Sequence, residues 1–316
     1  MGERWRDLAG PVGLLEPGPL NTVADVPGVL VGNTQAVSGE RTGVTVVAPP
    51  ALPAAAGAAT INGMGELTGM LEVQERGSII TPVYLCGTHA VGTVHRAAML
   101  AAGGGRGNVV LPTVGECDDT DMGDSRTVTE DDVRRALDDL DADVPEGSVG
   151  AGTGMTCFGF PGGIGTASRS VGDHRVGVLL LCNFGDRERL DVLEPLGTAA
   201  ATSGPQGSCI AICATDAPMT PNQLRRLALR PLLGLARTGS YAADGSGEIG
   251  LAFTTSTDRA IADGELNGYF AAGFEAASEA VYNCLVAARP AKRLDGSVQD
   301  AFPIDSVRSA RPLGDR

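Results

Sequence analysis

The stretch TSGPQGSCIAICATDAP, residues 202–218, reads as a loop that runs into a buried strand. Pro205 and Gly207 punctuate it. Ser208 then opens an apolar run, Cys209, Ile210, Ala211, Ile212 and Cys213, that ends at Asp216 and Pro218. A hydroxyl therefore stands at the start of a strand, directly behind the residue type that tolerates almost any backbone geometry. A turn glycine followed by a turn serine accounts for this pattern; so does a nucleophile placed at a strand end.

Working outward, short β-branched runs bounded by turn residues recur at 28–32, 42–49, 79–86, 108–114, 175–184, 208–215 and 249–255, and predict strands. Helical periodicity covers 89–102, 129–140, 221–238 and 265–288. Thr129 caps the second of these, with acids in its first turn, and Thr220 and Pro221 open the third, where Pro231 predicts a kink. The longest helix carries an apolar stripe through Leu266, Phe270, Ala277, Val281 and Leu285, which reads as core. Segments 50–59 and 289–316 read as loop and tail. Alternating elements without a repeat predict one layered α/β domain over residues 1–316.

The composition agrees with a large core and excludes several partners. The chain has 316 residues, 43% of them hydrophobic, with 45 glycines and a formal net charge of -14. Nucleic acid and anionic membranes both demand a basic face, so neither is expected as a partner. No stretch reaches the roughly 18 apolar residues of a membrane span, and Glu3, Arg4, Arg6 and Asp7 interrupt any leader-like run, so a cytoplasmic protein is expected. Seven scattered cysteines read as reduced, buried thiols. The three histidines, His89, His95 and His174, form no metal-binding pair, and the glycines of 150–170 lack the strand, helix and acid of a dinucleotide fingerprint. No cofactor or metal is expected, and hydrolytic chemistry here needs a base other than histidine.

Ser208 can supply that base. Its oxygen reaches the carbonyl of Gly207 through a five-membered ring, and the ester so formed hydrolyses. Cleavage leaves Ser208 with a free α-amine, whose ordinary pKa of about 7.7–8.0 suits a general base beside the hydroxyl.

The blocks NTVADVPGVLVGNT (21–34), INGMGELTG (61–69), GTHAVGTV (87–94), VGAGTGMTCFGFPGGIGTASR (149–169), VGVLLLCNFG (176–185), GSCIAICATDAPMTPNQLRRLALR (207–230) and GLARTGSYAADGSGEIGLAFTTS (234–256) occur in order. In them the chain resembles the L-aminopeptidase/D-esterase and β-peptidyl aminopeptidase family of N-terminal-nucleophile hydrolases. The resemblance implies a four-layer αββα sandwich, self-cleaved between Gly207 and Ser208 into an α chain 1–207 and a β chain 208–316, and assembled as tetramers of αβ units. It implies that Ser208 is the nucleophile, that Asn183 in CNFG helps hold the oxyanion, and that Ser246 and Glu248 in GSGE surround the nucleophile. An aminopeptidase also needs a carboxylate for the substrate's ammonium; Glu116 takes that place in the family-like block, with Glu66 and Asp118 as rivals. The implied substrates are short peptides, amino-acid amides or esters, β-peptides included.

Two blocks depart from the family. Where a tyrosine-bearing segment completes its oxyanion hole, this chain reads GECDDTDMGD (115–124), with Asp118, Asp119, Asp121 and Asp124 in place of a phenol donor. The block at 87–92 carries Gly87 and Ala90. The alternatives are an acyltransferase working through the same acyl-enzyme, and a non-catalytic binding protein of this fold.

Overall fold

A computed structural model describes residues 3–192 and 207–308. In chain order the elements are α1 (Trp5–Ala9), β1 (Leu30–Gln35), β2 (Gly43–Ala48), β3 (Ala54–Gly63), α2 (Met70–Arg76), β4 (Ser78–Ile79), β5 (Val83–Gly87), α3 (Val91–Ala101), β6 (Thr113–Cys117) and α4 (Glu130–Asp138). They continue with β7 (Thr156–Cys157), β8 (Phe160–Pro161), β9 (Gly163–Val171), β10 (His174–Asn183), β11 (Gly207–Thr215), α5 (Pro221–Arg237), β12 (Ser246–Thr254), α6 (Leu266–Ala287), β13 (Ala291–Lys292), β14 (Val298–Gln299) and α7 (Ile304–Arg308).

Two sheets stack face to face. One has the order β1-β2-β5-β6 and the other β4-β3-β12-β11-β10-β9. Strand alternation assigns each side chain to a layer. Val31, Val47 and Leu85 of the first sheet meet Leu179, Leu181, Ile210, Ile212, Leu251 and Phe253 of the second. The opposite face of the second sheet, with Leu180, Cys182, Cys209 and Ala211, packs under α5 and α6 through Leu224, Leu227, Ala277 and Val281. Val46, Tyr84 and Val114 of the first sheet pack under α3 and α4 through Val94, Ala98 and Val133. This is the αββα sandwich that the resemblance implies. The cysteines at 209 and 213 share the helix-facing side as buried free thiols.

Four readings need correction. The alanine-rich 50–59 is not a loop: it runs into β3, which pairs with β12 inside the larger sheet. Small residues are required there because α5 lies directly on the strand, and any side chain at Gly57 would enter the backbone of Arg225. The strand read at 79–86 is split by Pro82, since β4 pairs with β3 and β5 joins the other sheet. The strand read at 108–114 starts only at Thr113, after Pro112, with Val109 and Leu111 exposed. The tail from 289 holds the β13–β14 hairpin and α7. Thr129 and Thr220 cap α4 and α5 as expected, and α5 continues through Pro231.

Candidate active site

The start of β11 explains the glycine before the serine. Crowding demands that residue 207 carry no side chain: a Cβ there would strike the Asn183 carbonyl and lie 3.0 Å from the Phe184 Cα. Residues 193–206, which lead into Gly207, lie outside the described residues.

Ser208 follows with 4% of its surface exposed, and its Oγ, fully buried, has no hydrogen-bond partner. The Cys117 thiol lies close enough to sense this hydroxyl but without ordinary hydrogen-bond geometry, and burial pushes that thiol's pKa well up. An unpartnered buried hydroxyl costs about 1–3 kcal/mol. It stands across from Asn183 on β10 and Gly247 on β12.

Asn183 ends β10 with both ends of its amide held. Its Oδ1 accepts from the Thr156 backbone N–H at 2.8 Å, and its Nδ2 donates to the Asp118 carbonyl at 2.8 Å. Nδ2 carries a second hydrogen, so one donor is left over.

Ser246 donates to Glu248 Oε1 at 2.5 Å, and Glu248 Oε2 is buried without a partner. Burial raises the Glu248 pKa above the ordinary carboxyl value, with the Ser246 hydrogen bond opposing it. In the register between β11 and β12, Ser208 lies beside Gly247 and Cys209 beside Glu248. Alternation therefore puts Ser246 and Glu248 on the helix-facing side of the sheet, while Ser208 points into the gap between the sheets with Ile210 and Ile212.

Sequence reasoning missed Asn62. It sits opposite Glu248 on β3, beside a register shift, and its Nδ2 donates to the carbonyls of Ala243 at 2.8 Å, Asp244 at 3.0 Å and Ser246 at 2.5 Å. It holds the turn that delivers Ser246. The block INGMGELTG contained it, but nothing in the spacing marked it as a partner of residues far along the chain.

A cleft of about 460 Å³ opens over Ser208, lined also by Met64, Thr88, His89, Glu116 and Asp118. Glu116 is buried, accepting from the Glu66 backbone N–H at 2.8 Å and from the Thr88 hydroxyl. Burial raises its pKa; those two hydrogen bonds oppose the rise, and the negative charges of Asp118 and Glu66 add to it. Glu66 thus contributes its backbone, and its exposed side chain is not part of the lining.

The four aspartates that replace the family tyrosine separate in space. Asp119 turns inward, is 1% exposed and accepts from Thr42 at 2.6 Å. It occupies the space that a side chain at position 87 would need, so Gly87 and Asp119 fit one another. Asp124 pairs with Arg126, which holds its pKa down to about 2, and Asp121 is exposed. Of the four, Asp118 alone lines the cleft.

The sequence profile of Peptidase family S58 matches residues 21–299. The chain belongs to that family. A beta-peptidyl aminopeptidase of Sphingosinicella microcystinivorans is 37% identical, with 98% of this chain and 91% of that protein covered. A beta-aminopeptidase of a Burkholderia species superposes with a TM-score of 0.88 at 35% identity, covering 98% of this chain and all of the other. The L-aminopeptidase D-Ala-esterase/amidase of Ochrobactrum anthropi, a prototype serine aminopeptidase with a variant Ntn hydrolase fold, superposes with a TM-score of 0.85 at 32% identity, covering 97% of each chain. Family S58 membership makes the chain a hydrolase of aminopeptidase type with this Ntn fold variant. Among the described residues no helix is long and apolar enough to cross a membrane.

Proposed function

We propose that the chain is a self-processing serine aminopeptidase whose nucleophile, Ser208, is released as an N-terminus by its own attack on Gly207. The observation that carries this reading is the buried, unpartnered hydroxyl of Ser208, on a residue that lines a cleft directly behind a glycine pressed against Asn183. In processing, Oγ attacks the Gly207 carbonyl carbon, the C–N bond breaks, and the nitrogen leaves with a proton as the Ser208 amine. Water then hydrolyses the ester to a Gly207 carboxylate and a free hydroxyl. This yields the α chain 1–207 and the β chain 208–316, which we take to assemble as tetramers.

In turnover the amine accepts the Oγ proton as Oγ attacks the substrate carbonyl, the leaving amine takes that proton, and water releases the acyl group. Asn183 donates its remaining N–H to the oxyanion. Glu248, held by Ser246, supplies the negative charge that balances the protonated Ser208 amine, a use that fits a pair placed on the opposite side of the sheet from Oγ. Glu116 takes the substrate's ammonium, and Glu66 holds Glu116 through its backbone. Binding requires an ionised Glu116, so KM rises with acid at a pH above the ordinary carboxyl range, in line with its raised pKa. The names of the relatives point to substrates with an N-terminal β- or α-amino acid.

Mass spectrometry of purified protein tests the proposal. Two chains joining at 207/208, with hydrolysis of aminoacyl p-nitroanilides, are expected; active protein with an intact 207–208 bond overturns it. Glu248→Gln keeps the Ser246 hydrogen bond and removes the charge, so turnover should drop about tenfold, the size of one lost charge-assisted hydrogen bond. Unaltered pH–rate profiles for this variant would remove Glu248 from the site.

A further inference from the structure

The charge of the cleft says more about its substrate than the proposed reaction does. Glu116 and Asp118 both line it, while no lysine or arginine does among the described residues; His89 is its lone basic side chain. Ser208, whose buried Oγ has no partner, lines the same cleft, so the acids stand beside the proposed nucleophile.

The two carboxylates are not equivalent. Glu116 is buried and tied by the Glu66 N–H and the Thr88 hydroxyl. Asp118 is exposed at the rim, its Oδ1 held by the Thr120 backbone N–H at 3.0 Å, and its carbonyl held by Asn183. Glu116 sits near the end of β6 and Asp118 just beyond it, and both line the one cleft.

We infer that the cleft is built for an N-terminal residue carrying two cationic groups, the backbone ammonium on Glu116 and a side-chain ammonium on Asp118. The inference rests on the aminopeptidase reading and adds a substrate class to it: lysine-like residues, of α or β type. One carboxylate alone serves any N-terminus; the second, with no lysine or arginine beside it among the described lining residues, gains only when the substrate brings a cation. Without an arginine or lysine to receive it, an acidic N-terminal side chain is repelled from the same wall.

Matched pairs test this without other changes: lysyl against norleucyl p-nitroanilide, and β-homolysyl against β-homonorleucyl p-nitroanilide. The expected result is a kcat/KM ratio of about fivefold for the cationic member of the hydrolysed pair, the upper end for a solvent-exposed ion pair. The ratio should shrink at high salt and fall to near one in Asp118→Asn, while Asp118→Glu retains a preference. Hydrolysis with no preference, or a preference that survives Asp118→Asn, overturns the inference and leaves the peptidase reading standing. No hydrolysis of any of the four by the processed protein overturns the peptidase reading and this inference together.

Discussion

Ser208→Ala is expected to yield a single unbroken chain with no measurable turnover. Both losses have one cause, since the same oxygen attacks Gly207 in processing and the substrate carbonyl afterwards. Removing the nucleophile from comparable serine hydrolases costs on the order of 10⁶ in rate. The fold should survive. Oγ is buried without a partner, so alanine deletes an unsatisfied polar atom that costs about 1–3 kcal/mol and leaves the Ile210 and Cys117 packing in place. The unbroken chain adds to this, as cleavage would free two ends. Calorimetry should therefore show the variant melting at or above the wild type. Two chains from the alanine variant, seen by mass spectrometry, would refute the assignment of Ser208.

Asn183→Ala is expected to lower kcat by about 10²–10³, or roughly 2.7–4 kcal/mol of transition-state stabilisation. KM should move little, because the donor acts on charge that develops only during reaction. Asn183 is also structural, with Oδ1 accepting from Thr156. Asn183→Asp separates the two roles: it keeps that acceptor but turns the donor into a carboxylate beside the developing negative charge. Its activity should be as low as that of the alanine variant, with normal circular dichroism. If the aspartate variant recovers activity, the amide serves to hold Thr156, and the oxyanion donor lies elsewhere.

The parts of the site that were legible beforehand lie within single strands. Ser208 behind Gly207, Asn183 at the end of an apolar run, and Ser246 two residues from Glu248 are local patterns, and the structure brings all of them to neighbouring strand ends of one sheet. The parts that were not legible depend on other strands or on turns. Asn62 matters because β3 lies beside β12, and β3 itself was hidden as an alanine run, since its small side chains answer to α5 and not to any β-forming preference of their own. The four aspartates after β6 looked alike in sequence; the turn they occupy buries Asp119 against Thr42, ties Asp124 to Arg126 and leaves Asp118 to face the cleft. That sorting leaves Asp118 as the one aspartate of the four in the lining, next to a Glu116 already engaged with Glu66 and Thr88.

Sequence by itself determined the layered α/β architecture, the family and the residues at the ends of β10, β11 and β12, because period-two burial and caps are written in neighbouring positions. Tertiary structure alone decided why residue 207 is glycine, which acid lines the cleft, and which side of the sheet the Ser246–Glu248 pair occupies. Those outcomes depend on how closely separate strands approach and how their registers align, and neither quantity is encoded in any one segment.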